Sequence, residues 1–193
     1  MKTMLKHAHL CILPAMAMLA GCLSSGTPAA TEWTVAVEKG AVRHVAAPKF
    51  GVARLLLVDV RAPYAGREIA VLRGDGSVAF DPYNTFAATP LRLMTGGALD
   101  ALAGSGLFSA VVEAGSSADS DVDVEVAVLR MALDCRVEGS RRAVVALSVR
   151  LVRSHRIVAY AIGEGACDAG SGDYSASFSA AAASAFGEAF GNL

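Results

Sequence analysis

The segment 122–128 constrains the fold most strongly, because valine stands at every second position and the acids Asp123 and Glu125 stand between valines. Side chains of a strand point alternately to opposite faces, so a period of two predicts a strand with one buried and one solvated face. The apolar positions then move by one residue, to Leu129, Met131 and Leu133. That change of parity indicates a β-bulge or a strand covered on both faces. A sheet is therefore the expected centre of the fold.

Turn signals divide the rest of the sequence into further strands. Small and polar residues at 138–140 and 154–155 predict an antiparallel meander over 122–162. A separate hairpin over 68–80 is predicted around Gly74-Asp75-Gly76, because Asp-Gly supplies the positive φ angles that a tight turn needs. The remaining segments are predicted as a weak first strand at 34–37, a strand covered on both faces at 54–61, and a flexible loop at 163–172.

Two segments have the pattern of helices. Thr89 and Pro90 predict a helix start, and Gly104 or Gly106 predicts its end. The alanine-rich segment 173–193 predicts a second helix that lies on the sheet, with an apolar side formed by Tyr174, Phe178, Ala182, Ala185 and Ala189. The predicted fold class is α+β, a mostly antiparallel sheet with two main helices packed on it in a single domain.

The composition excludes several functional classes. Hydrophobic residues make up 54% of the chain and its net charge is −1, which argues against a disordered chain and against a nucleic-acid-binding protein. Outside the leader, only His44 and His155 could act as conventional bases, and no nucleophile stands in a recognised motif beside them. The acids over 119–125 lack the glycine and the glutamate of a calcium loop. We therefore predict no enzyme activity, no catalytic residue, no metal site and no cofactor.

The first residues have the pattern of an export signal. Lys2 and Lys6 precede the apolar run 10–19, which predicts a secretory signal peptide that is too short to span a bilayer. Leu19-Ala20-Gly21-Cys22 looks like a bacterial lipobox, in which the cysteine is acylated, typically with palmitate, and becomes the first residue of the mature protein. The predicted divisions are a lipoprotein signal peptide at 1–21, a flexible tether at 22–32 and a domain at 33–193. The lipid on Cys22 is then the predicted membrane anchor.

Several weak motifs stand in a definite order along the whole mature chain. They are the lipobox at Cys22, a small polar tether, an aromatic strand start at Trp33, a strand at 55–60, Ile69-Ala-Val-Leu-Arg73 with its Gly-Asp-Gly turn, Phe80-Asp-Pro-Tyr83, Phe86, the Pro90-led helix, the meander, and a closing helix after Asp173-Tyr174. This order resembles that of the ABC-type transport auxiliary lipoproteins.

The resemblance implies a non-catalytic docking subunit of an ABC/MCE-type transport system, which carries lipids between membranes. Its implied partners are an MCE-domain substrate-binding protein, an ABC permease and an ATPase, with the membrane reached through the lipid anchor. The residue after Cys22 is Leu23. Enterobacterial lipoproteins, which the leader resembles, carry aspartate there when they stay in the inner membrane, so the resemblance implies the outer membrane, facing the periplasm. Whether the chain forms a homo-oligomer is open. The alternative function is an outer-membrane assembly or pilot-type structural lipoprotein.

Two residue pairs complete the predictions. Tyr83 and Phe86 are predicted partner contacts, because aromatic side chains supply a large contact area at little entropic cost, with a core role as the alternative for Phe86. Cys135 and Cys167 could form a disulfide in the oxidising periplasm. The meander places them on strands separated by a third, so the bond needs the loop after Gly163 to fold over, and two free thiols are the alternative.

Overall fold

The valine-rich segment forms β6 (Val122–Cys135), the strand on which the rest of the sheet is built. The computed structural model describes residues 29–42, 44–170 and 172–193, which form eight strands and two α-helices in one α+β domain. The other elements are β1 (Thr31–Trp33), β2 (Phe50–Val60), β3 (Glu68–Arg73), β4 (Val78–Phe86), α1 (Pro90–Ser105), β5 (Phe108–Glu113), β7 (Arg142–Arg153), β8 (Arg156–Asp168) and α2 (Tyr174–Gly191), with a short 3₁₀ turn at Lys39–Ala41.

The two edges of β6 pair with strands of opposite direction. Along one edge β7 pairs antiparallel with nearly all of β6, and β8 pairs antiparallel with β7. Along the other edge β2 runs parallel beside the first half of β6, and β3 runs parallel beside its end. β5 lies outside β2, while β4 and then β1 lie outside β3. The sheet is mixed, and its two longest interfaces are antiparallel.

The change of apolar parity in β6 is a β-bulge. The register between β6 and β7 shifts between Val128 and Arg130, so that Met131 and Leu133 return to the face that holds the upstream valines. The predicted turn between β7 and β8 is also present, with φ of 49° at Ser154 and 62° at His155. Positive φ at two successive residues suits the twist of a tight hairpin. The predicted meander is therefore confirmed.

Both helices pack on the face of the sheet that carries the β6 valines. α1 begins at Pro90, as predicted, and ends before Gly106, whose φ of 70° is a left-handed helix cap. α2 begins after Asp173, whose side chain accepts a 3.0 Å hydrogen bond from the amide of Ala176. All five residues predicted for the apolar side of α2 are buried. The sheet and the helices share one hydrophobic core.

Two glycines of β8 allow α2 to lie close to the sheet. A Cβ atom on Gly163 would collide with the carbonyl oxygen of Ala185, and one on Gly165 would collide with that of Ala181. The prediction of a flexible loop at 163–172 is wrong, because β8 continues to Asp168. These glycines mark the close approach of another backbone rather than a break in the strand.

Two other predictions are corrected by the structure, which also contains one strand that was not predicted. The first strand is at Thr31–Trp33 rather than at 34–37, so it begins inside the segment predicted as tether. β5 was not predicted, and it pairs parallel with the first half of β2. β2 is not covered on both faces, because Leu56 is 47% exposed. A register shift between Leu55 and Leu57 explains this, since Leu56 is the extra residue of a bulge.

Candidate partner-docking surface

The chain enters the domain through β1, which several contacts hold in place. Cys22, the predicted lipidation site, lies outside the described residues. The indole Nε1 of Trp33 donates a 2.8 Å hydrogen bond to the side-chain oxygen of Asn84, and its ring lies 5.4 Å from that of Tyr174 between centroids. β1 also pairs in parallel with the end of β4. The point where the predicted tether meets the domain is therefore fixed on the sheet, beside the start of α2.

Tyr174 anchors this entry point from the helix side. Arg141 donates a 2.8 Å hydrogen bond to the Tyr174 hydroxyl oxygen. Burial raises the pKa of Tyr174, and the neighbouring Arg141 opposes that rise. The phenol is therefore neutral at physiological pH, and it acts as a hydrogen-bonded core residue.

The two aromatic residues predicted as partner contacts differ in exposure. Tyr83 is 50% exposed on β4, so it can contact a partner. Phe86 is 1% exposed and packs edge to face against Phe178, with ring centroids 5.2 Å apart. Its assignment as a partner contact is wrong, and its alternative role in the core is correct. The reason is that the Phe86 side chain faces the core, where its ring meets Phe178 of α2, whereas the Tyr83 side chain reaches solvent.

The structure contains Cys135 and Cys167 as free thiols, which corresponds to the second alternative for this pair. Cys167 lies opposite Ala143 of β7, and Ala143 lies opposite Leu133 of β6. The two cysteines are thus two strands apart and offset by two further residues. Two strand spacings already come to about 10 Å, beyond the roughly 7 Å limit between Cα atoms of a disulfide. The predicted bond would need a different register.

An ion pair closes the turn after β6. Arg136 donates hydrogen bonds of 2.9 and 2.6 Å to the two carboxylate oxygens of Asp134, and these bonds lower the pKa of Asp134 to about 2. Because the pKa in the folded state lies below the ordinary value of 3.8, the pair contributes stability above about pH 4 and loses it as the pH falls through 2.

We expect Asp134→Asn to remove this pH-dependent contribution. Arg136 is half exposed, so solvent screens the ion pair and the contribution is small. Urea unfolding at pH 6 and at pH 2.5 gives the difference between the two free energies of unfolding for each protein. The contribution of the ion pair is the amount by which this difference is smaller in the variant than in wild type. Arg136→Gln removes the other partner of the ion pair, so it should reduce the pH dependence of the free energy of unfolding by the same amount as Asp134→Asn. An unchanged pH dependence in both variants would contradict the assignment.

The face of the sheet opposite the helices carries an apolar row. Across five strands, register pairs align Phe80, Ala70, Ala132, Val144 and Ala166. At one end of the row Phe80 is 50% exposed. The edge strand β8 adds the exposed apolar residues Ile157, Val158, Tyr160 and Ile162. This outer face therefore presents apolar area to solvent, and Phe80 at its end lies on the same strand as the predicted contact Tyr83.

A groove lies on the other side of the sheet, between α1 and β2. Its cavity volume is about 560 Å³. Leu55, Leu56 and Val58 form its floor, and the wall from α1 includes Leu91 and Thr95. Leu91 is 44% exposed. We call this feature the α1–β2 groove. Its size and its mainly aliphatic lining fall within the range of ligand-binding clefts in proteins.

The analysis of the sequence missed the α1–β2 groove. Four successive apolar residues at 55–58 indicated a strand buried on both faces, because no alternation was present to mark an exposed side. The bulge at Leu56 and the early end of β5 expose part of this run. Neither feature has a local signal. Leu91 did carry one, because it is apolar in the first turn of α1.

The residues that the sequence offered as bases or metal ligands make hydrogen bonds within the fold or lie in solvent. The ring Nδ1 of His44 lies 3.0 Å from the carbonyl oxygen of Gly104, and His155 is exposed in its turn. Asp121 accepts a 2.7 Å hydrogen bond from the amide of Val52. Within 29–42, 44–170 and 172–193, no three histidine, cysteine or acidic residues are grouped as metal ligands. No helix in that part of the chain is long and apolar enough to cross a membrane.

Comparisons with known proteins support the fold. The crystal structure of protein XCC0632 from Xanthomonas campestris, described under the family model DUF330, is similar with a TM-score of 0.62 and 20% sequence identity, over 83% of this chain and 89% of that one. The crystal structure of an uncharacterized protein is similar with a TM-score of 0.53 and 12% identity, over 72% and 80%. No family model matches the sequence, and no curated protein matches it. At these identities the similarity concerns the fold alone.

Proposed function

We propose that this protein is a membrane-anchored lipoprotein of an ABC/MCE-type transport system, which docks a partner and carries out no chemistry. The lipobox that ends at Cys22 is the observation on which the proposal rests. The order of motifs that resembles the auxiliary transport lipoproteins supports it. The exposed apolar surfaces of the domain also support it, because such surfaces on a folded domain are typical of protein–protein contact.

The position of β1 suits an anchored domain. Thr31 lies nine positions after Cys22, and a chain segment of that length spans at most about 32 Å. A lipid on Cys22 would therefore keep β1 and β4 near the bilayer.

We expect Cys22→Ser to abolish lipidation and membrane attachment. Serine has no thiol to form the thioether that carries the lipid, so the chain should neither incorporate a labelled fatty acid nor sediment with outer membranes. Metabolic labelling with palmitate followed by membrane fractionation measures both. Cys135→Ser is the matched control and should behave as wild type. Equal labelling of the Cys22→Ser chain would contradict the lipoprotein assignment.

Docking is tested by co-purification of the MCE-domain protein of the same organism from solubilised membranes. We expect the wild-type chain to retain it and Tyr83→Ala to retain several-fold less, because truncation removes a half-exposed aromatic contact. Tyr83→Phe is the matched control, because it keeps the aromatic ring at the same position and should retain the partner as the wild-type chain does. If the wild-type chain recovers no transport component and its deletion leaves the outer-membrane lipids unchanged, the alternative of an assembly or pilot-type lipoprotein is favoured.

A further inference from the structure

An unpaired strand edge borders the α1–β2 groove, which Val58 of that edge lines. β6 pairs with β2 through Val60, whereas β5 stops at Glu113, which lies opposite Leu55. Residues 57–60 of β2 therefore have a neighbouring strand on the β6 side alone, among the strands that the structure describes. Such an edge offers amide and carbonyl groups that can pair with another extended chain.

The apolar surface beside this edge gives a second reason to expect a ligand. The bulge turns Leu56 outward into the groove, and Leu91 faces the same space from α1. The two side chains remain 47% and 44% exposed. Bulges often serve to re-aim a side chain next to a binding site. The edge itself carries the exposed Asp59, but the leucines beside it give the groove an apolar surface that an ordinary solvated edge lacks.

The charges at the rim of the α1–β2 groove have opposite signs. Arg92 lies in the first turn of α1, and its guanidinium has no hydrogen-bond or ion-pair partner among the described residues. That turn contains no acidic residue, and the Thr89 side chain makes no capping hydrogen bond, so the positive end of the helix adds to the charge of Arg92. Glu113 lies on the rim at the end of β5. The rim of the groove therefore carries a positive charge at Arg92 and a negative charge at Glu113.

We infer that the α1–β2 groove binds an extended apolar peptide segment of the partner, which adds to the open edge of β2 and places an acidic side chain against Arg92. Main-chain hydrogen bonds to residues 57–60 provide affinity, and the apolar floor selects aliphatic side chains at alternate positions. This inference specifies the segment that the partner presents, so it rests on the proposed docking function.

The test uses synthetic peptides and the purified full chain in detergent, with micelles alone as the blank. Two fluorescein-labelled nonapeptides alternate valine and threonine, and they carry aspartate at one end and lysine at the other, in the two possible orders. The control peptides have the same sequences with every backbone nitrogen methylated. Fluorescence anisotropy measures binding, and hydrogen exchange read by mass spectrometry measures protection of the amides at 57–60.

We expect one of the two orders to bind and to protect these amides, and the methylated peptides to bind at least tenfold more weakly. Leu91→Asp should weaken binding at least tenfold, whereas Val158→Asp, at a site on β8 that is 48% exposed, should change it less than twofold. If Leu91→Asp does not fold, Arg92→Glu is the second variant, and it should weaken binding of the same peptide.

Several results would overturn the inference. Equal binding of the methylated peptides, or unchanged exchange at 57–60, would exclude strand addition. Binding of palmitate in the groove without binding of either peptide would identify an acyl chain as the occupant. Dimerisation that Leu91→Asp abolishes, again without peptide binding, would identify a second copy. Because the peptides are synthetic, this test can succeed where co-purification with the MCE-domain protein fails, and the reverse also holds.

Discussion

Gly163→Ala and Gly165→Ala are each expected to lower the free energy of unfolding by at least about 2 kcal/mol. The new Cβ atom would meet the carbonyl oxygen of Ala185 or of Ala181 well inside van der Waals distance. These are backbone atoms of α2, so the helix must move away from β8 as a whole. That movement would open the contact between the sheet and the alanine-rich side of the helix. Urea unfolding followed by circular dichroism measures the loss.

Gly187→Ala is the matched control for these substitutions. Gly187 lies in α2 itself, and nothing lies within 4 Å of a Cβ atom added there. Alanine has the higher helix propensity, so this variant should be more stable than wild type by up to about 1 kcal/mol. Replacing glycine with alanine is therefore expected to lower the free energy of unfolding in β8 and to raise it in α2. A loss of stability at Gly187 equal to that at Gly165 would contradict the close helix–strand packing described above.

Phe86→Ala should lower the free energy of unfolding by about 3–5 kcal/mol, the usual cost of removing a buried phenyl ring. Phe86 is 1% exposed, and its contact with Phe178 joins the end of β4 to α2. Truncation leaves a cavity that neither the strand nor the helix can close without losing other contacts. Phe86→Leu retains most of the volume and should cost less, which gives a measurable value if the alanine variant does not fold.

Tyr83→Ala provides the comparison for Phe86. Half of the Tyr83 side chain is in solvent, so its truncation should change the free energy of unfolding by less than about 1 kcal/mol. The two aromatic residues lie three positions apart on β4, and we expect their substitution to affect different properties. Phe86→Ala should affect folding, and Tyr83→Ala should affect co-purification. If Tyr83→Ala destabilises the domain as much as Phe86→Ala, the assignment of Tyr83 to a docking surface is contradicted.

Much of the architecture could be predicted from the sequence, because its signals are local. The alternation of valines and acids in β6 records which face of one strand is buried, and that face is the same whichever strands lie beside it. Gly76 in the β3–β4 hairpin, with φ of 84°, and Pro90 at the start of α1 act through their own backbone angles, whereas Asp75 does not adopt the positive φ expected of it. These features were sufficient for the α+β class, the meander and both helices.

The candidate docking surfaces depended on contacts between distant parts of the chain. Gly163 and Gly165 indicated a loop by composition, and only the approach of α2 shows why glycine stands in a strand there. Phe86 and Tyr83 are both aromatic residues of one strand, and the position of α2 decides which of them is buried. The α1–β2 groove exists because β5 ends before β2 does.

The sequence by itself determined the strand and helix periods and the turns, because each depends on neighbouring residues alone, and the proposed anchor at Cys22 rests on the sequence in the same way. The tertiary structure decided which strand edges are paired, which side chains of a uniform apolar run reach solvent, and where a helix lies close enough to require glycine. The physical reason is that burial depends on what packs against a residue, and that partner lies tens of residues away along this chain.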